Sequence, residues 1–306
     1  MEIVELPPFE RKVEWPTVAL AVAIYGMWLA ATLFWARFSW ALPVFGPWII
    51  AWQMNLQHET IHGHPTRLRW INEAIGVWPL ALWLPYATYR ATHRRHHQDQ
   101  NLTDPFEDPE SYYWTEAGWR DLKPLGRALV RFQSTLLGRM LVGPAWMMSG
   151  SIRNELRAAW TGRPRARTAL FWHLVQCAPV VIWVMGVCRM PLWLYVVTFI
   201  YPGMSLAMVR SFAEHRAAPA AERRTAIVED AWLLGPLFLF NNLHVAHHMR
   251  GGIPWYLLPR FYRLNRAALI ERNGGLVYRS YFDVARRYLL KPHDEPIHPG
   301  WVRNIA

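Results

Sequence analysis

Three histidine clusters constrain what this chain can fold into more strongly than any other feature. They read HETIH at residues 58–62, HRRHH at 93–97 and HVAHH at 244–248. Within each cluster the histidines follow an i, i+4 or an i, i+3, i+4 spacing, which places them on one face of an α-helix. Imidazole is a common ligand of iron, zinc and copper. The spacing therefore predicts three helices that present histidine nitrogens to metal.

A ninth histidine stands alone in the segment RSFAEHR, residues 210–216, directly after a hydrophobic stretch. One zinc ion needs three or four protein ligands, so nine histidines are too many for it. Two ions would receive four or five nitrogens each and would leave room for an oxygen ligand. Two redox-active ions can share the electrons that cleave dioxygen, and iron is the usual metal for that reaction. We therefore predict that two ions are held by His58, His62, His93, His96, His97, His215, His244, His247 and His248.

The composition indicates a membrane protein. Hydrophobic residues make up 53% of the chain, and nineteen of its residues are tryptophan, a side chain that often lies at the depth of lipid head groups. The net charge of +11 accompanies long apolar segments. This combination favours anionic lipid over nucleic acid as the partner of the basic residues. We expect no nucleic-acid partner.

Apolar segments of membrane-spanning length occur four times, at 17–35, 40–57, 169–187 and 191–209. Arginines and apolar residues interleave between 118 and 160, which is typical of helices that lie along the membrane surface. Two shorter apolar segments, 75–86 and 232–240, are too short to cross a bilayer. We predict one domain over 1–306. It is an all-α integral membrane protein with about four transmembrane helices, interfacial helices and a polar cytoplasmic cap from residue 250 on.

The distribution of basic residues predicts the orientation in the membrane. The two short loops between paired spans carry one basic residue each, Arg37 and Arg189. The other lysines and arginines fall on the opposite side, which is therefore expected to be cytoplasmic. The three clusters and His215 fall on that side too. We expect a bacterial inner-membrane protein with both termini and the metal site in the cytoplasm.

The set HxxxH, HxxHH, a separate EH and a final HxxHH resembles the membrane fatty acid desaturase and hydroxylase superfamily, over about 40–262. The resemblance implies a cytosolic di-iron centre bound by the nine histidines named above. The segments NNLH at 241–244 and IPWY at 253–256 resemble bacterial members, which include carotenoid hydroxylases and ketolases as well as acyl desaturases. Many acyl-CoA desaturases have four residues between the first two histidines where this chain has three, so acyl-CoA specificity does not carry over.

We expect an O₂-dependent oxidoreductase that desaturates a fatty acyl or other lipid chain in the bilayer. The alternative on the same scaffold is a lipid or carotenoid hydroxylase or ketolase, acting on a lipid or isoprenoid substrate. The chain shows no Gly-rich dinucleotide fingerprint, haem motif or cysteine cluster. An external electron donor, a ferredoxin-like protein or a reductase, is therefore expected.

Two other functions fit part of the pattern. Residues 58–62 match HExxH, the zinc-protease motif in which the glutamate is the general base. A protease, however, leaves the second and third clusters without a role. A non-catalytic metal or haem carrier would use many histidines but would not explain their even spread over helix ends. Iron and zinc analysis of the purified protein separates these hypotheses.

Several other polar residues can be assigned expected roles. Carboxylates and an amide near the clusters are candidates to orient the imidazoles: Glu59, Glu214, Asp230 and Asn241. His64 is expected beside the ligands or in solvent, and His173 lies within a predicted span without a partner cluster. His293 and His298 are expected to be solvated. Asp104, Asp108 and Glu110 are interpreted as a capped turn.

Overall fold

The computed structural model describes residues 3–6 and 13–301, and over these ranges the chain is mostly helical, as predicted. Two dipeptide strands pair in parallel, with Ile227 opposite Val277. The elements in chain order are α1 (Trp15–Leu33), α2 (Leu42–Ile61), α3 (Arg69–Gly76), α4 (Tyr86–His96), α5 (Glu116–Asp121), α6 (Pro124–Gln133), α7 (Leu136–Trp160), α8 (Pro164–Val181), α9 (Leu192–Tyr195), α10 (Tyr201–Glu214), β1 (Ile227–Val228), α11 (Leu234–Leu237), α12 (His244–Met249), α13 (Leu258–Arg272), β2 (Val277–Tyr278) and α14 (Tyr281–Tyr288).

Three helical segments in the described part of the chain are long and apolar enough to cross a membrane. They are Trp15–Leu33, Pro164–Val187 and Leu192–Glu214. They correspond to the first, third and fourth predicted spans. The second predicted span, 40–57, forms most of α2, which is not among the three, so a fourth span remains a prediction. Residues 1–2 and 302–306 lie outside the described residues, and the predicted side of both termini is not tested.

Helix α2 packs between α1 and α10 at the centre of the structure. Two glycines allow the close approach. A Cβ atom on Gly203 would lie 2.5 Å from Cβ of Ile50, and one on Gly46 would lie 2.5 Å from the carbonyl oxygen of Thr198. Small residues at such crossings let two backbones approach where a larger side chain would hold them apart. The close packing brings the C-terminal ends of α2 and α10 together, and both ends carry predicted ligands.

The region predicted to form interfacial helices is helical, as α5, α6 and α7. Helix α7 packs against α10 on one side and against α6 and α8 on others. The predicted break after α7 is present: Gly162 has a φ of +81°, which glycine adopts without steric cost, and α8 begins at Pro164. The short apolar segment 232–240 contains only a single helical turn, α11.

The C-terminal segment is more than a polar cap, because its apolar face completes the core beneath the third histidine cluster. Phe261 and Leu269 of α13 are fully buried with Leu243 and Ala246. Farther along, Val284 of α14 is buried in a cluster that includes residues of α10. A polar face outward and an apolar face inward is the usual pattern of a helix that covers a core.

The expectation that His293 and His298 are solvated is wrong. His298 is only 3% exposed, and its Nε2 lies 3.1 Å from Oγ1 of Thr103. The Nε2 atom of His293 lies 2.6 Å from the hydroxyl of Tyr278. The final segment folds back along the loop after α4, where Trp114 N donates to the carbonyl of Pro296. This contact joins residues far apart in sequence, so the polarity of the neighbouring residues does not predict it.

Candidate metal centre

The nine predicted histidines come together in two groups. Within each group one possible ligand atom per residue lies within 4.8 Å of the others. The five-histidine group and the four-histidine group lie side by side at the ends of α2, α4, α10 and α12. This division matches the four or five nitrogens per ion expected from the sequence. The five-histidine group consists of His58, His62, His93, His97 and His247, and the four-histidine group consists of His96, His215, His244 and His248.

Helical geometry explains how the second and third clusters are divided. In the second cluster, the i, i+4 pair His93 and His97 faces the five-histidine group, while the intervening His96 faces the other. The third cluster is divided in the opposite sense, because its i, i+4 pair joins the four-histidine group and His247 joins the five-histidine group. Residues at i and i+4 lie on the same face of a helix, whereas the i+3 residue is displaced around the axis. Each of these two helices therefore contributes to both groups.

The facing nitrogens are too close and too regular for unrelated side chains. In the five-histidine group, Nε2 of His93 lies 3.0 Å from Nε2 of His62 and 3.1 Å from Nε2 of His97. In the four-histidine group, Nε2 of His215 lies 3.0 Å from Nε2 of both His96 and His244. With metal–nitrogen bonds of about 2.1 Å, neighbouring ligands at right angles would lie about 3.0 Å apart. The nitrogen spacing therefore fits metal coordination.

His58 gives a second test of fit. Its side chain is completely buried, and neither ring nitrogen has a hydrogen-bond partner among the described residues. A buried polar nitrogen without a partner costs free energy. A metal ion bound to His58 would satisfy one of its two ring nitrogens. The donor set thus suits a metal site on grounds independent of the sequence motif.

The protonation states of two of the histidines suit metal ligands. Burial together with neighbouring histidines lowers the pKa of His97 to about 3, and burial lowers the pKa of His215 to about 3. These imidazoles are therefore neutral at physiological pH and have a lone pair for a metal. Burial opposes the charge on His96, but Glu110 and Asp108 outweigh it and raise the pKa of His96 to about 9. The two carboxylates thus provide negative charge beside the four-histidine group.

The model of the family described as fatty acid desaturase matches residues 34–282. That range contains all nine histidines. The chain belongs to the fatty acid desaturase family. It is also similar to a curated protein named sn-1 acyl-lipid omega-3 desaturase (ferredoxin) from Nostoc sp. (strain 36), with 26% identity over 271 residues. The alignment covers 86% of this chain and 63% of that relative, so the chain spans less than two thirds of the relative's length.

Two carboxylates that the sequence interpretation assigned to a capped turn contact the histidines of this desaturase-family chain. Nδ1 of His96 lies 2.9 Å from Oδ1 of Asp108, and Nδ1 of His93 lies 3.0 Å from Oε1 of Glu110. The capped-turn interpretation holds for Asp104, which accepts hydrogen bonds from the next turn. It also holds for Asp108, which accepts hydrogen bonds from the backbone N of Thr103 and of Glu110 in addition to contacting His96. It is wrong for Glu110. The only sequence signal of the two histidine contacts is a pair of carboxylates in the loop that follows a histidine cluster.

Three of the predicted orienting residues lie against histidines. Oε1 of Glu214 and the backbone oxygen of Asn241 each lie 3.2 Å from Nδ1 of His244. Oε1 of Glu59 lies 3.5 Å from Nδ1 of His58. The Asn241 carbonyl is a hydrogen-bond acceptor at Nδ1 of His244, and an acceptor there holds the ring so that Nε2 faces the metal position. The two carboxylates lie at ion-pair distance, one beside a member of each group.

The remaining polar residues lie apart from the two groups. Asp230 is 72% exposed and pairs with Arg279 at 3.8 Å, so its expected contact with an imidazole is wrong. His64 is buried, and its Nδ1 lies 2.6 Å from Oε1 of Glu14. His173, within α8, has Sγ of Cys177 3.5 Å from its Nε2. None of these contacts adds a ligand to either histidine group.

A cavity of about 560 Å³ opens beside the four-histidine group. It lies among α2, α4, α7 and α10, and we call it the central cavity. At one end its lining includes His215, Glu110 and Glu214. The following side chains supply apolar lining: Met54, Leu82, Trp83, Trp146, Met147, Met204 and Met208. A cavity with both polar and apolar lining suits a lipid with one polar end.

Proposed function

We propose that this chain is an O₂-dependent di-iron oxidoreductase that desaturates a fatty acyl or other lipid chain. The single observation that carries the proposal is the division of nine histidines into adjacent groups of five and four. Membership of the desaturase family supports the reaction class. The similar protein from Nostoc is named an acyl-lipid desaturase, which supports a lipid substrate.

The histidines of the two groups would hold one iron ion each, and the pair would supply the oxidising power that removes hydrogen from an unactivated carbon. The protein's own contribution is binding, orientation and exclusion of water. Asp108 and Glu110 hold two imidazoles by their Nδ1 atoms. The central cavity would align the lipid with His215 at its polar end. Positioning of this kind determines which carbon reacts.

We propose that Glu59 orients His58 and is not a general base. It is 3% exposed; one oxygen faces His58, and the other accepts a hydrogen bond from the backbone N of Trp255. A protease would need this carboxylate beside a metal-bound water. His58 and His62 also lie among three further histidines, which a zinc-protease site does not require. We therefore favour the oxidoreductase over the HExxH protease.

Electrons would come from a separate protein, since the similar desaturase is named with ferredoxin. Exposed arginines near the second and third clusters provide basic surface for an acidic donor. Arg95 already pairs with Glu107, and Arg250 pairs with Glu5. Arg94 and Arg260 are also exposed and have no ion-pair partner among the described residues. We propose that these two contribute most to donor binding.

Two measurements test the proposal. Elemental analysis of the purified protein should find about two iron ions per chain; one zinc ion would contradict it. Expression in a host that lacks the modification, followed by mass spectrometry of its lipids, should show products that have lost two hydrogen atoms. Products that gain one oxygen atom would indicate the hydroxylase alternative. Product formation without dioxygen would contradict every oxygen-dependent version.

A further inference from the structure

The central cavity contains a buried cation that the metal site does not use. Arg139, near the start of α7, is 6% exposed and lines the cavity. Its Nε donates to the backbone oxygen of Gln133, and its guanidinium carbon lies 3.5 Å from the centre of the Tyr112 ring. Among the described residues, no carboxylate lies within ion-pair distance of it. A buried guanidinium normally has a negative partner, because losing its hydration is costly.

A second donor without a partner lines the same cavity. Gln133 is 5% exposed, and its Nε2 has no hydrogen-bond partner among the described residues. Buried amide nitrogens in folded proteins are usually hydrogen-bonded. A guanidinium without a carboxylate partner and an amide N–H₂ without an acceptor share one complementary ligand type, an oxyanion, which accepts several hydrogen bonds at once.

Apolar side chains line the cavity next to Arg139. A Cβ atom on Gly143 would lie 3.1 Å from Cδ of Arg139 and 2.5 Å from Sδ of Met208, so these two side chains meet above that glycine. Met204 and Met147 continue the apolar lining. A head group at Arg139 would therefore let an alkyl chain extend along α7 and α10.

Arg139 also lies near the end of α10 that precedes His215. The guanidinium carbon of Arg139 lies 5.8 Å from the ring centre of Phe212, which precedes His215 by less than one helical turn. The carboxylates near the histidine groups already have partners: Glu214 pairs with Arg210, and Glu110 with His93. Glu155 lines the cavity farther along α7, and its buried Oε2 has no hydrogen-bond partner among the described residues. Arg139 is thus available to an incoming anion.

We infer that Arg139 and Gln133 bind the oxyanion head group of an acidic lipid and position its chain in the central cavity. The head group is a carboxylate, as in a free fatty acid, or a phosphate, as in a phosphatidic acid. That the bound lipid is the substrate rests on the proposed function. It excludes neutral lipids, such as carotenoids and alkanes, as the preferred substrates.

Binding to the metal-free protein in detergent tests the inference without relying on turnover. Radiolabelled palmitate, phosphatidic acid and methyl palmitate are the three probes. We expect the wild type to bind one of the two acids at least about tenfold more tightly than the ester, since a hydrogen-bonded charge supplies about that factor or more. Preference for palmitate identifies a carboxylate ligand, and preference for phosphatidic acid identifies a phosphate ligand.

Arg139→Gln should remove this preference, and Arg139→Lys should keep part of it. Arg153→Gln is the matched control, because Arg153 lies on the same helix, is exposed and does not line the cavity. If Arg139→Gln fails to fold, Gln133→Met removes the second donor and should weaken binding of the acid but not of the ester. Equal binding of acid and ester by the wild type overturns the inference. The iron content decides the proposed function separately.

Discussion

His215 Nε2 lies 3.0 Å from His96 Nε2, although the two residues are 119 positions apart in the chain. The first stands alone at the end of a helix long and apolar enough to cross a membrane, and the second belongs to a cluster on a separate helix. The contact turns a solitary histidine into part of a four-nitrogen group. No histidine belongs to both groups. A substitution in one group should therefore leave the other group intact, so the two can be tested separately.

Alanine substitutions should therefore remove iron one ion at a time. His58→Ala should lower bound iron from about two ions to about one per chain and abolish turnover, because the five-histidine group loses its only fully buried ligand without a hydrogen bond. His215→Ala should do the same through the other group. Iron analysis with an activity assay checks both. Full activity in either variant would contradict the two-ion assignment.

Loss of an orienting carboxylate should have a smaller effect than loss of a ligand. Glu110→Gln leaves the His93 ring with a neutral partner, and we expect activity or metal affinity to fall about 10- to 100-fold. Glu107→Gln is the control, because Glu107 lies in the same loop, is exposed and pairs with Arg95. Metal titration followed by an activity assay compares the two. Equal values for both variants would show that Glu110 has no orienting role.

The contrast between local and long-range contacts explains how much the sequence could predict. The clusters follow from i, i+3 and i+4 spacing, which is a local property of a helix, so their eight histidines could be named. The ninth, His215, is predicted because it directly follows a hydrophobic stretch. Glu110 is 17 positions from His93, and its contact depends on how the loop after α4 folds back. The burial of His298 depends on a strand-like contact of Trp114 with the C-terminal segment. Neither arrangement has a periodic signal.

The close crossing of α2 and α10 should be sensitive to one methyl group. Gly203→Ala places a carbon about where Ile50 already lies, and we expect it to destabilise the fold by ~1–3 kcal/mol. Because this crossing brings the two ligand-bearing helix ends together, bound iron should fall as well. Gly150→Ala is the control, since nothing lies within 4 Å of its added carbon. Equal melting temperatures in detergent for the two variants would contradict the packing argument.

The last prediction concerns the side of the membrane on which the site lies. The loops after α4 and α10 must share one side, because Arg224 Nη1 donates to the backbone oxygen of Leu102 and the Arg224 carbonyl oxygen lies 3.2 Å from Nδ1 of His215. Reporter fusions after Asp108, after Arg224 and at the C-terminus should all report a cytoplasmic location. Fusions after Arg37 and Arg189 should report the outside, since these loops carry few basic residues. Opposite locations for Asp108 and Arg224 would contradict the shared site, whereas a common external location would contradict only the predicted orientation.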